Sequence, residues 1–431
     1  MKDSDFLKAL DSAGNFQLRR AAERLREGLF DPIGVQLLTA GETHLNRVFD
    51  RGVRELNKHK AAHLCICGAY GQGKSHSLTY LRNRALGKGF VTSQINLDPR
   101  EIPFHNFQQV YRALVTNIQF PDMETSLADS WKIWADQFKS LSATDNGQRT
   151  TDNELTTDNE QHAARLLEIL PDEIPHFFRT VLTALALETV SLSRYERHLK
   201  KHAAFRPHEF PYLLGRALVG EAIPVYRLKP AFRYREVFFY KDASLLCRGW
   251  QSYLGMIFGL SRLFQEMGFK GWVLLFDEGE AITQTPVNSR SKSYQILQQI
   301  FAPETPVPGF YPVFAFTDDF FMQVREEDYD RIRLWRGEES LYFDQNYEQA
   351  WRNLVVHRLQ DLSSKEWINL STRLMLLHAR AYRWEPPKRA YQQMTRRRLS
   401  ETKGQEARLK IKALVDQLDL VHQDEVLGNS S

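Results

Sequence analysis

Eight consecutive residues carry the clearest chemistry of the chain: Gly68-Ala69-Tyr70-Gly71-Gln72-Gly73-Lys74-Ser75. They fit the spacing G-x-x-x-x-G-K-[ST] of a loop that wraps phosphates. Gly68 and Gly73 let the backbone turn where a Cβ would clash. Successive N–H groups then point inward, as a nest for β- and γ-phosphates. Lys74 adds a point charge, and the Ser75 hydroxyl can ligate Mg²⁺. A helix beginning near Gly73 sets its positive end under the phosphates. The nucleotide contacts predicted on this loop are Gly68, Ala69, Tyr70, Gly71, Gln72, Gly73, Lys74 and Ser75, with ATP and Mg²⁺ as the implied ligands.

A second centre lies two hundred residues on. Gly271-Trp272-Val273-Leu274-Leu275-Phe276-Asp277-Glu278 is an apolar run ending in two carboxylates. A central strand buried on both faces reads this way. Asp277 at its end reaches the metal held by Ser75. Glu278, one residue further, is the candidate to orient and polarise an attacking water. Glu280 repeats the acidic character. Tyr311-Pro312-Val313-Phe314-Ala315-Phe316 reads as another buried strand, and Thr317 at its end is the candidate sensor of the phosphate, with Asp318 second.

These groups need strands and helices to hold them. His63-Leu64-Cys65-Ile66-Cys67 is a short apolar run before the loop, and Leu78, Leu81, Ala85 and Leu86 follow it on helical spacing. Residues 90–97 read as a second strand, and Phe104, Phe107, Val110, Tyr111, Leu114 and Ile118 return to helical spacing. Alternating strands and helices predict a parallel sheet covered by helices. Residues 1–60 read as helical, with Phe16, Leu18, Ala21, Ala22, Leu25 and Leu29 as one apolar face and a second helix over 42–58. The polar run 144–160, with three Thr-Asp-Asn repeats, reads as a flexible loop. The resulting division is an N-terminal helical segment 1–60, a first core part 61–125, a mainly helical insertion 126–250, a second core part 251–325 and a helical unit 326–431.

The chain of 431 residues has 42% apolar and 26% charged residues, ordinary for a globular protein. Its net charge of +4 permits nucleic-acid binding without arguing for it. Cations cluster at Arg194, Arg197, Lys200, Lys201 and Arg206. Another stretch, Arg227-Leu228-Lys229-Pro230-Ala231-Phe232-Arg233-Tyr234-Arg235, interleaves them with aromatics, which suits phosphates and stacked bases. Three cysteines without further ligands at metal spacing read as buried thiols of a reducing compartment. No leading apolar segment and no membrane-length run occurs, so the expectation is a cytoplasmic protein with no membrane partner.

With these pieces placed, the chain resembles the ATP-binding proteins of BREX anti-phage systems, the BrxC/BrxD family, and in size BrxD more than BrxC. The matching residues are Leu25-Arg26-Glu27-Gly28, the loop Gly68–Ser75 with His76, Leu97-Asp98-Pro99 with Phe107 and Val110-Tyr111-Arg112-Ala113, Gly220-Glu221-Ala222-Ile223-Pro224, Leu274–Glu278 with Glu280, Arg290 and Pro308-Gly309. The resemblance implies an AAA+-like (ASCE-type) α/β P-loop NTPase core with a C-terminal helical lid, ATP hydrolysis, and work on DNA beside a helicase or other defence-system protein. It adds His76 and Arg408 to the nucleotide contacts. This sequence has Thr317-Asp318 where the family often has Thr-Pro. AAA+ cores usually take an arginine from a neighbouring subunit, which implies a homo-oligomer. Arg290 is the candidate favoured by the resemblance, and Arg331 and Arg333 are those favoured by position beyond the sensor strand.

Two other readings compete with a DNA-acting ATPase. One is a nucleotide-stabilised scaffold that hydrolyses ATP poorly and recruits partners. The other is a small-molecule kinase, disfavoured because a water-activating Glu278 is unwanted where water must be excluded.

Overall fold

A computed structural model describes residues 3–29, 31–144, 155–189, 207–324, 353–402 and 404–428. Along the chain, helices α1 (Asp3–Ser12), α2 (Asn15–Arg26), α3 (Pro32–Leu38) and α4 (Glu42–Leu56) precede strand β1 (Leu64–Cys67). Helix α5 (Lys74–Gly87), β2 (Val91–Asn96), α6 (Phe107–Thr116) and β3 (Ile118–Gln119) follow. Next come α7 (Leu127–Thr144), α8 (Leu155–Ile169), α9 (His176–Ala186), α10 (Phe210–Leu218), α11 (Val225–Tyr234) and α12 (Gly249–Glu266). The chain returns to the sheet through β4 (Trp272–Asp277), α13 (Val287–Phe301), β5 (Phe310–Phe316), α14 (Asp318–Met322) and β6 (Val356–Arg358). Helices α15 (Ser364–Tyr382), α16 (Lys388–Glu401) and α17 (Ala407–Gly428) complete it.

The described strands form one sheet in the order β3-β2-β4-β5-β1-β6, parallel except for β3 on β2. Strands β4 and β5 are buried along their whole length, which is why both read as unbroken apolar runs. Alternation sends Val273, Leu275, Val313 and Ala315 toward α4 and α5. It sends Leu274, Phe276, Phe314 and Phe316 into the larger core built with α6, α12 and α13. Helix α4 comes so close to β5 that a Cβ on Gly52 would stand 2.1 Å from the Tyr311 hydroxyl.

Register decides where the chemistry gathers. Cys67 lies opposite Phe316, and Asn96 opposite Asp277. Gly68, Glu278 and Thr317 therefore leave adjacent parallel strands at one sheet edge. Strand β1 is flanked by β5 and β6, while its chain crosses over through α5 to β2. The reversal opens a crevice beyond the strands' C-terminal ends, where α/β sheets bind ligands.

Several expectations change. Phe16 is 77% exposed and Leu29 also faces solvent. The inward face of α2 is Leu18, Ala21, Ala22 and Leu25, and Phe16 falls off that stripe. That face packs on α15 and α17, so Leu18, Ala22 and Leu25 share one core with Leu374, Leu377, Leu414 and Leu418 from the far end of the chain. The helices between α7 and α12 pack into the same core as the sheet. Helix α8 begins at Leu155, inside the polar run read as a loop, and residues 145–154 lie outside the described ones. No described helix is long and apolar enough to cross a membrane.

Candidate functional site

The glycine-rich loop joins β1 to α5, with Gly73 as N-cap of that helix. Gly71 and Gly73 hold φ of 76° and 98°, a left-handed backbone that only glycine adopts without strain. Gly68 is needed for space instead: a Cβ there would stand 2.6 Å from Gln72 Oε1 and 3.2 Å from Leu359 Cβ. The Gly68 N–H donates to Phe316 O, which ties the loop to β5 (3.3 Å). The Ala69 N–H donates to Gln72 Oε1 at 2.8 Å, so one loop donor is held by the loop's own side chain.

Lys74 is only 7% exposed. Its ammonium donates to Gly68 O (3.2 Å) and Ala69 O (3.3 Å) and stands 3.7 Å from Glu280 Oε1. The helix dipole alone does not orient this charge; two loop carbonyls and one carboxylate do. Asp277 is buried at the end of β4, and its Oδ1 accepts the Glu278 N–H at 3.0 Å. Burial pushes its carboxyl up, against a hydrogen bond from the Ser75 hydroxyl that lowers it. Ser75 and Asp277, expected to share a metal ion, thus lie within reach of each other.

Glu278 takes φ 54°, uncommon for a residue with a side chain, and caps the turn Gly279–Gln284. Its half-buried side chain borders a cleft lined by Gln94, Asn96, Glu101 and Asn117. Burial raises its carboxyl first, then the charges of Glu280 and Asp277, with Lys74 opposing. Three carboxylates thus converge on one lysine, and Glu280 Oε2 is buried with no hydrogen-bond partner. Ser75 and Asp277 offer two oxygen donors of the kind that would hold Mg²⁺, which binds through one or two carboxylates while keeping its own waters.

Thr317 sits at the N-cap position of α14 with no side-chain cap bond, one strand from Asp277. Asp318, the second candidate, is paired with Arg358 at the end of β6. His76 is turned to a structural task. Its Nε2 lies 2.8 Å from Thr39 Oγ1, whose proton goes to Val35 O. The imidazole therefore donates, and burial pushes its pKa down to about 4. It links α5 to the end of α3.

Arg290 is placed differently from the expectation of a residue offered to a neighbouring subunit. It is 7% exposed and donates to Thr283 O and Thr285 O, both at 3.0 Å. It braces the turn that carries Glu278 and Glu280, and a buried, bonded guanidinium is not available across an interface. Arg331 and Arg333 lie outside the described residues, as do the cations from Arg194 to Arg206. Among the described residues no group of three His, Cys, Asp or Glu could hold a metal ion, and Cys65 and Cys67 are buried free thiols.

Arg408 reaches the loop from the other end of the chain. Its backbone N–H donates to Gly71 O (3.3 Å), and its guanidinium meets the hydroxyl of Tyr70 (3.2 Å), which is 62% exposed. Sequence reasoning missed Glu406, whose carboxylate lies so close to Gly71 that a Cβ there would be 2.1 Å from Oε2. It also missed Arg358 beside Asp318. Neither carries a local signal, because packing brings each in, Arg358 across 40 residues and Glu406 from the far end of the chain.

The basic stretch 227–235 forms most of α11 and the residue after it. Tyr226, Arg227, Lys229 and Arg233 are exposed. Phe232 and Tyr234 are buried, and Arg235 turns inward to donate to Ala184 O. The interleaved aromatics are thus core residues, and only the cations and Tyr226 face out.

No curated protein and no solved structure matches the chain. The family model of the BREX system ATP-binding protein BrxC/D matches residues 18–190 and 249–429, leaving α10 and α11 outside the matched part. With so much of its length matched, and with a phosphate-type loop facing a carboxylate-ended strand, the chain belongs to the BREX system ATP-binding protein BrxC/D family.

Proposed function

We propose that this chain is a Mg²⁺-dependent ATPase with an AAA+-like P-loop core, acting with DNA and partner proteins in BREX-type phage defence. The observation that carries this reading is the convergence of Lys74, the Ser75–Asp277 pair and Glu278 at one edge of a parallel sheet. In it the loop amides and Lys74 take the β- and γ-phosphates. Ser75 and Asp277 hold the metal, Glu278 polarises water, and Thr317 reads the phosphate from the next strand. Arg408 contacts the nucleotide from the C-terminal helices, which serve as the lid. The protein works in the cytoplasm as an assembly of like subunits beside a helicase or other defence protein.

Phosphate release from ATP, with Mg²⁺ or EDTA and with single- or double-stranded DNA, tests this directly. The expected result is Mg²⁺-dependent turnover that DNA raises. Tight ATP binding without turnover under all these conditions would leave a nucleotide-stabilised scaffold in its place.

The exposed cations of α11 are the proposed contact for DNA phosphates. Lys229 and Arg233 lie one turn apart on the helix, with Tyr226 in line and Arg227 beside them. Arg227→Ala/Lys229→Ala/Arg233→Ala is expected to weaken DNA binding roughly tenfold and to flatten the log K against log salt slope by about two to three. Nucleotide affinity should be unchanged. An unaltered salt slope in fluorescence anisotropy would remove α11 from the DNA contact.

A further inference from the structure

The turn after β4 carries a carboxylate that the nucleotide reading does not use. Glu280 lies three residues beyond Asp277, in the short helical turn Gly279–Gln284. Its Oε1 is 3.7 Å from Lys74 Nζ, and its Oε2 is buried without a hydrogen-bond partner. The turn is fixed from below, since Arg290 donates to its Thr283 carbonyl and to that of Thr285 just beyond it. The Glu278 carbonyl accepts from Ala281 at 2.9 Å. Glu280 is therefore delivered to Lys74 by a braced segment and not by a floppy surface side chain.

An ammonium as buried as Lys74 is costly without a counter-charge. Two loop carbonyls take two of its three donors but carry no net charge. Glu280 is the only carboxylate paired with it among the described residues. The same ammonium is the group that phosphates would claim.

We infer that Glu280 is a positioning residue that holds Lys74 before nucleotide arrives and competes with nucleotide for it, so that binding exchanges one anionic partner for another. This rests on the nucleotide reading of the loop. The pair keeps Lys74 aimed over the loop before ATP arrives. After hydrolysis the carboxylate is at hand to take the ammonium back, which favours release of ADP and phosphate. An anion next to the phosphate site that only repelled substrate would have no such return.

The sign of the effect separates this role from a merely structural one. Glu280→Gln keeps the shape and removes the charge. In the full-length chain, titrated with a fluorescent ADP analogue, it is expected to bind roughly three- to tenfold tighter than wild type, through a slower off-rate. A residue needed only to shape the turn would weaken binding when replaced. Equal or weaker affinity in Glu280→Gln overturns the inference.

Thermal melts of the nucleotide-free protein give an independent arm. Lys74→Met and Glu280→Gln should each lower the melting temperature, and the double variant should fall no further than the worse single one. Strictly additive losses would show that no working pair exists. Wild type and Lys74→Ala titrated alongside keep the two ideas apart. Loss of binding in Lys74→Ala with no gain in Glu280→Gln defeats only the Glu280 role. Equal binding by wild type and Lys74→Ala defeats the nucleotide site, and the exchange with it.

Discussion

Lys74→Ala is expected to lower nucleotide affinity by about 2–5 kcal/mol, roughly thirtyfold or more, and with it nearly all turnover at ordinary ATP concentrations. Two effects add. The phosphates lose the one ammonium held within the loop, at 3.2 and 3.3 Å from its own carbonyls. The Glu280 carboxylate also loses its partner and stays buried beside the place where phosphates would sit. The loop amides remain, so residual weak binding is compatible with the reading. Titration with a fluorescent ADP analogue measures the change, and a circular dichroism spectrum like the wild type's shows that the fold persists. An unaltered dissociation constant would remove Lys74 from the site and the loop from its role.

How much of this was legible in the sequence follows from how local each constraint is. The loop's backbone was legible because the proposed phosphate-wrapping pattern sets glycine, lysine and serine within eight residues, and Gly71 and Gly73 do adopt the backbone that only glycine takes freely. The ends of β4 and β5 were legible because a strand buried on both faces leaves an unbroken apolar run, and its first polar residues mark the sheet edge. Partners brought together by packing left no such trace. Glu406 and Arg408 meet Gly71 and Tyr70 only because α2, α15 and α17 share a core that draws the two ends of the chain together. Arg290 misled for a related reason. The resemblance favoured it as a residue offered to a neighbouring subunit, yet the turn before α13 offers carbonyls that a guanidinium can bind while buried. His76 was expected at the nucleotide, and its bond to Thr39, just beyond a short helix that the residue pattern did not single out, left no trace in the sequence. In α11 the alternation of cations and aromatics looked like a stacking surface. Helical geometry splits it, sending Phe232 and Tyr234 inward and the cations out.

Glu278→Gln is expected to leave ATP bound and to slow hydrolysis by about 10²–10⁴-fold, the usual cost of losing a general base. Position is the first reason. Glu278 follows Asp277 directly, so its side chain, one residue beyond the proposed metal ligand, would stand where water can approach a phosphate. Its left-handed backbone, φ 54°, turns it out of the strand line toward the cleft edged by Asn96 and Asn117. Strain of this kind persists only where surroundings fix it, here the Ala281 N–H on its carbonyl and the Asp277 carboxylate on its amide. Basicity is the second reason, since burial and the neighbouring Glu280 and Asp277 lift the carboxyl above its ordinary range. A stronger base takes a proton from water more readily, and glutamine keeps the shape without that capacity. The neighbouring substitution Asp277→Asn should behave differently: it weakens the hold on the metal, so turnover needs more Mg²⁺. Single-turnover hydrolysis and nucleotide titration, run over a Mg²⁺ series, separate the two. Glu278→Gln at the wild-type rate would place the water-activating carboxylate elsewhere, and Glu101, across the same cleft, would be the next to replace.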